Sequence, residues 1–254
     1  MDKMNVLFAS AEVAPFANVG GLGDVSGALP PALRDLAAGT LDIRIIMPFH
    51  AAVKKLNPPH RFIGNFAFEA NGRSIATDLF VSELSDVPVY LLDNEFINHD
   101  SPVYHGAWTL DGLKYVTFSL AVLEAARYLD WKIDILHAND WHTALSVYAL
   151  KTIYADDPFF AGVKTILSVH NLPFNGWGSQ EAMSSLGFEP SSDPDLPDWA
   201  KFTPLPLGLS ASDKFIAVSP NYAREILTPE FGCGMEGYLQ KHAEKVMGIL
   251  NGID

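Results

Sequence analysis

The sequence predicts an α/β fold, a mostly parallel sheet with helices on both faces. Three observations carry this. Apolar, β-branched-rich runs of strand length recur at Asn5–Ser10, Asp42–Met47, Asp134–Ala138, Lys164–His170 and Lys214–Ser219. They lack the polar alternation of a strand with one face in water, so they suit strands covered on both faces. Helix-length segments separate them, and βαβα alternation implies parallel pairing.

The elements follow in order. After the first run comes a glycine-rich segment, Asn18 to Gly27, and a helix is expected from about Gly23 to Pro30. Arg61–Leu92 reads differently. Two apolar-rich runs flank Asn71-Gly72, a hairpin signal, so an antiparallel excursion is expected there. Leu110–Leu129 is the clearest helix, with Leu113, Val116, Leu120 and Leu123 on one face and no proline. Trp141–Tyr154 and Pro220–Leu227 are further helices, the second opened by Ser219 as N-cap and Pro220 at the first position. The Pro/Ser/Asp-rich segment between Gly187 and Pro206 reads as a surface loop with a short helix. Gly248–Asp254 is a strand-like run ending in turn residues. No repeat or boundary divides the chain, so residues 1–254 are expected to form one domain.

Composition narrows the partners. The 254 residues carry 17 basic and 30 acidic side chains, a net charge of −13. Such a surface repels phosphate backbones and anionic headgroups, so neither nucleic acid nor membrane is expected as a partner. The single cysteine, Cys233, permits no intrachain disulfide and no cysteine-based metal cluster. Asn5–Ala11 is too short for a signal peptide, and no apolar run reaches the ~18–20 residues of a membrane helix. A cytoplasmic location is expected.

Three polar clusters fall at predicted strand ends, where open α/β sheets bind ligands. The first is the glycine segment. Strand, glycine loop and helix N-terminus make an anion-binding geometry, although the glycines could serve only to turn the chain. Gly21, Gly23 and Gly27 imitate a dinucleotide fingerprint, but about ten residues separate them from the strand, where the fingerprint follows at once. The second cluster is His137 to His142. Asp140 reads either as a site residue or as the N-cap of the next helix, and a metal on His137, Asp140 and His142 would need them to converge. The third is Ser168 to Gly176, with His170 and Asn171 leaving the strand. Thr228–Gly237 is a turn-rich loop with no evident chemistry.

Together these segments resemble the N-terminal domain of bacterial glycogen synthases and plant starch synthases. The likeness rests on Glu12-Val-Ala-Pro15, Gly20-Gly-Leu-Gly-Asp-Val25, Gly27-Ala-Leu-Pro30, Tyr104, His137-x-x-Asp-Trp-His142-Thr-Ala144, Val169-His-Asn171 and Gly176. It continues through Val218-Ser-Pro220, Tyr222 to Ile226, Thr228 to Phe231, Gly234-x-Glu-Gly237 and Gly248 to Asp254. These pieces span nearly the whole chain in the family's order.

The resemblance implies one Rossmann-like half of a GT-B glycosyltransferase, with a C-terminal nucleotide-binding domain absent from this chain. It implies ADP-glucose as donor, an α-1,4-glucan as acceptor, retention of configuration, no cofactor and no metal. Alone, the chain would lack turnover. By position, Gly20 and Gly21 would lie at the donor diphosphate, with Asn18 and Asp24 in the same loop. His170, Asp140 and Tyr104 would be catalytic, and Asn171, Trp141 and His142 substrate-binding.

Two departures stand out. The family's loop begins Lys-x-Gly-Gly-Leu, and here Asn18 takes the lysine's place. Pro206 takes that of a second lysine. No Lys or Arg lies between Lys3 and Arg34. The alternative is therefore a glucan-binding, non-catalytic relative. A nicotinamide-dependent oxidoreductase is the third reading, from the Gly21–Gly27 spacing alone.

Overall fold

The computed structural model describes residues 3–98 and 100–252. Its strands are β1 (Met4–Ala9), β2 (Leu41–Pro48), β3 (Arg61–Ala70), β4 (Arg73–Leu84), β5 (Val87–Asn94), β6 (Ile135–Asn139), β7 (Lys164–Val169), β8 (Lys214–Ala217) and β9 (Val246–Gly248). The helices are α1 (Gly21–Leu36), α2 (Ala51–Leu56), α3 (Trp108–Tyr128), α4 (Asp140–Lys151), α5 (Gln180–Ser185), α6 (Pro204–Ala211), α7 (Pro220–Glu225) and α8 (Glu236–Lys241). One nine-stranded sheet runs β3-β4-β5-β2-β1-β6-β7-β8-β9. From β5 to β9 all neighbours are parallel, and β3 and β4 are antiparallel additions at one edge.

Both faces are covered. Val6 and Phe8 of β1 pack with Ile43 and Ile45 of β2 against Leu29 and Leu33 of α1. Leu7 and Ala9 face the other way, into a core shared with Phe118 and Val122 of α3 and Leu145 of α4. Burial on both faces removes the polar alternation from these strands. The expected excursion is present. Asn71 and Gly72 both take left-handed φ, +49° and +76°, which makes the two-residue turn joining β3 to β4.

The structure corrects several expected boundaries. The first helix does not stop at Pro30. Pro30 and Pro31 lie inside α1, which continues to Leu36. Each proline forfeits one helix hydrogen bond. Helices in proteins are held mainly by packing of their apolar face, and α1 keeps Leu29 and Leu33 on the sheet, one on each side of that break. β7 ends at Val169, so His170 sits just beyond the strand. α4 ends at Lys151 rather than Tyr154, because Thr152 leaves helical geometry and the Tyr154 N–H turns back to the Ala149 carbonyl. Near the C-terminus the strand is Val246–Gly248, ahead of the run expected to form it, and Ile253 and Asp254 lie outside the described residues.

The topology creates the site. From β1 the chain passes through α1 to β2 on one side. It returns through α3 to β6 on the other side of β1. Connections diverge at the carboxyl ends of β1 and β6 and leave a crevice between them.

Candidate active site

A cleft of about 670 Å³ opens at that switch point. Eight residues singled out from separate stretches of sequence line it: Gly20, Gly21, Tyr104, Asp140, Trp141, His142, His170 and Asn171. Asn18 and Asp24 are not among the lining residues. Asn18 Nδ2 donates to Asp24 Oδ1 at 2.7 Å, and the two side chains tie off each other at the start of α1.

The glycine loop is built around Glu12, which the sequence reading did not assign. Glu12 is buried, and its Oε2 accepts from Val19 N at 2.6 Å and Gly20 N at 3.1 Å. Its Oε1 accepts from the Tyr104 hydroxyl. The next two N–H groups, of Gly21 and Leu22, open α1 and have no acceptor within the helix. Both residues line the cleft, so this is where an anion would find donors.

The glycines divide by role. A Cβ on Gly23 would lie 2.6 Å from Asn18 Oδ1, and one on Gly27 would lie 2.5 Å from the Ala14 carbonyl oxygen. Packing explains both, which removes most of the dinucleotide-like spacing. Around Gly20 and Gly21 there is nothing within 4 Å, and Gly20 has extended φ. Neither neighbours nor backbone conformation demand glycine there. Open space on the cleft side is what a closely approaching ligand requires.

Asp140 joins two strand ends. It begins α4, but it is not a helix cap. Its Oδ1 accepts from His170 N at 2.8 Å and Asn171 N at 3.3 Å, across to the end of β7. Its φ is +52°, an unfavourable conformation held by these bonds. Burial pushes its carboxyl up to about 7, against the two backbone N–H groups that favour the charge. His170 Nε2 meets Asn139 Oδ1 at 3.2 Å, while Asn139 Nδ2 donates to the Ala9 carbonyl. The carboxamide thus accepts from Nε2–H. Burial pulls His170 down to about 4, so the ring is neutral at pH 7 and its Nδ1 can accept from a hydroxyl.

An aromatic group forms the floor. The His142 ring lies 4.5 Å from Trp141, 4.6 Å from Tyr115 and 5.3 Å from Tyr104, centroid to centroid. Burial holds His142 near 3, with Lys114 and His170 adding to the effect. Its Nδ1 is buried and has no hydrogen-bond partner among the described residues. Burial, then Tyr115 and Glu12, push the Tyr104 hydroxyl far up, so it stays protonated and donates to Glu12.

His137 does not join this group. Its Nε2 meets Ser168 Oγ at 2.8 Å and its ring packs edge-on to Phe8. It therefore does not converge with Asp140 and His142. Among the described residues no set of three His, Cys, Asp or Glu side chains is arranged to hold a metal ion. Pro206 is buried in the first turn of α6, away from the cleft lining.

Sequence reasoning also missed Asp111, Trp108, Phe174 and Asn251, all lining the cleft. Asp111 Oδ1 accepts from both N and Nδ1 of His105, at 2.9 Å each. Phe174 had a signal, since it lies inside the Ser168 to Gly176 cluster; Trp108 had none, and both rings are about half exposed in the structure, Trp108 51% and Phe174 53%. Glu12, Asp111 and Asp140 put three carboxyl groups in the lining, and no Lys or Arg is among the described lining residues.

Comparisons with known proteins agree on one family. Residues 5–241 match the family model described as the starch synthase catalytic domain. Glycogen synthase of Lacticaseibacillus casei is 37% identical over 257 aligned residues, covering 99% of this chain and 52% of the relative. Glycogen synthase of Caldicellulosiruptor bescii is 38% identical over 255 residues, with the same two coverages. The catalytic domain of starch synthase IV from Arabidopsis thaliana, solved bound to ADP and acarbose, superimposes with a TM-score of 0.86 at 26% identity. That match covers all of this chain and 52% of the other. The chain thus spans about half the length of the relatives it matches.

Proposed function

From the premise that the chain belongs to the starch synthase catalytic domain family, we propose that it is the N-terminal, Rossmann-like half of a retaining GT-B glucosyltransferase. The reaction moves glucose from ADP-glucose to the non-reducing end of an α-1,4-glucan. A second, nucleotide-binding domain completes the cleft, and this half alone does not turn over.

The observation that carries the proposal is convergence. Residues from four separate segments line one cleft at the strand ends, with two N–H groups presented beside two unobstructed glycines. The donor diphosphate lies against Gly20 and binds the N–H groups of Gly21 and Leu22, and these two backbone donors stabilise the charge that grows as the glycosidic bond to ADP lengthens. Asn18 and Asp24 shape the loop from outside. Neutral His170 accepts from a hydroxyl of the transferred glucose. Asp140 faces the positive charge that develops on the sugar. Tyr104, Trp141, His142 and Asn171 position glucose and acceptor. The acceptor hydroxyl attacks from the face that ADP leaves, and its proton passes to the departing phosphate oxygen.

A second reading, a glucan-binding relative without turnover, draws on Asn18. Its amide is engaged by Asp24 and brings no charge to the loop. NMR titration of the nitrogen-15-labelled chain separates the readings. Under the first, ADP moves the Gly21 and Leu22 amide signals and maltoheptaose moves the Trp141 region. Under the second only the sugar does so. Neither ligand perturbing the cleft would overturn both.

A further inference from the structure

Within the core behind the cleft lies an ammonium group that the proposed reaction does not use. Lys114 is 1% exposed, on the buried side of α3. Its Nζ meets three acceptors: His50 Nδ1 at 2.9 Å, the Pro102 carbonyl at 2.5 Å and the Val103 carbonyl at 3.1 Å. All three of its protons are therefore engaged, each by a neutral group. His50 is itself buried, and its Nε2 lies 2.8 Å from the Ala11 carbonyl, which can only accept. Nε2 thus carries the ring proton, and Nδ1 is left as the acceptor for Lys114. Burial and the Lys114 charge hold His50 in this neutral form.

These bonds reach two neighbours of the glycine loop. Through His50, Lys114 fixes Ala11, the residue before Glu12. Through the carbonyls of Pro102 and Val103 it fixes the turn that carries Tyr104. The Tyr115 hydroxyl adds a second bond to Val103, at 2.6 Å. Glu12 and Tyr104 then meet each other, and Glu12 holds the N–H groups of Val19 and Gly20.

We propose that Lys114 is a positioning residue for the donor loop, acting through the Glu12–Tyr104 pair on the backbone of Val19 to Leu22. The donor part of this statement rests on the reading of the glycine loop as the diphosphate site; the mechanical part does not. A buried ammonium is costly unless every donor is satisfied, so the cage has little freedom to relax. Burial pulls Lys114 down to about 7, against the influence of Asp111.

The test is amide hydrogen exchange at Val19 and Gly20, read by NMR in this chain. Lys114→Met removes all three donors in a similar volume. Exchange at both amides is expected to quicken at least tenfold, with Phe8 and Ile45 in the sheet unchanged after correction for global stability. Tyr104→Phe leaves the cage whole and is expected to quicken the same two amides. The double variant should exchange no faster than Lys114→Met alone, because both changes cut one route. A lysine that only fills the core would leave these amides unaltered or give additive effects, and either result overturns the proposal. Should Lys114→Met not fold, Lys114→Gln keeps part of the donor set and is read in the same way. ADP titration of the unchanged chain is the separate arm. If ADP leaves Gly21 unmoved while the exchange results hold, the donor reading fails and the positioning role of Lys114 stands.

Discussion

Asp140 ties two strand ends together through a single carboxyl group. Its carboxylate is the acceptor that joins the end of β7 to the start of α4, and it sits at positive φ. Asparagine tolerates that conformation and keeps an acceptor oxygen, whereas alanine does neither. Asp140→Ala is therefore expected to cost about 2 kcal/mol, and Asp140→Asn less than about 1 kcal/mol, in urea unfolding. Equal losses would remove the bridging role. Histidines give a pH prediction. Burial holds His137 and His170 near 4, His142 near 3 and His50 well below its ordinary value. In the unfolded chain they take up protons near 6.5. As pH falls below that value the unfolded state binds protons that the folded state refuses, so stability drops. Asp140, raised to about 7, works the other way and offsets one of the four. The net of roughly three protons corresponds to about 4 kcal/mol per pH unit near pH 5. The urea midpoint should fall clearly between pH 7 and pH 5.5, and an unchanged midpoint would show that these rings are not held neutral. His170 and Asp140 were legible in the sequence because apolar runs mark where strands end. Glu12 and Lys114 were not. Their partners lie far away in sequence, Tyr104 for the one and His50 for the other, and no local pattern announces such pairing.

Among the elements, α1 shows what local rules cover and what packing adds. Pro30 read as a stop, yet the helix runs on because Leu29 and Leu33 are held against the sheet. The glycines at its start split by what surrounds them. Gly27→Ala would force a Cβ to 2.5 Å from the Ala14 carbonyl oxygen and is expected to destabilise by about 2 kcal/mol. Gly20→Ala meets no protein atom and should leave the melting temperature within a degree or two, while weakening ADP binding at least tenfold. Thermal melts paired with ADP titrations of the two variants check this. A stable Gly20→Ala chain that binds ADP normally would mean that no ligand approaches there. The hairpin was readable because Asn-Gly has few other uses between apolar runs. The positive φ of Asp140 was not, because it answers to bonds made from another strand.

At the scale of the whole molecule, the fold class follows from the order of apolar runs. The sheet that assembles them places eight of the expected site residues on one crevice. The net charge of −13 first argued against nucleic acid as a partner. In three dimensions it becomes a local matter, since the described cleft lining holds three carboxyl groups and no Lys or Arg. Backbone N–H groups at the start of α1 give a diphosphate a measurable but weak hold there, and tight binding needs cationic help from elsewhere. The proposed source is a second domain, and the chain's span of 52% of its relatives leaves room for one. The most direct test joins this chain to the second half of the Caldicellulosiruptor bescii relative and follows labelled glucose from ADP-glucose into glycogen. Incorporation is expected from the joined protein, none from this chain alone, and a fall of at least a hundredfold with His170→Ala. A folded, ADP-binding joined protein that incorporates no label would contradict the proposed transfer and leave a glucan-binding relative in its place.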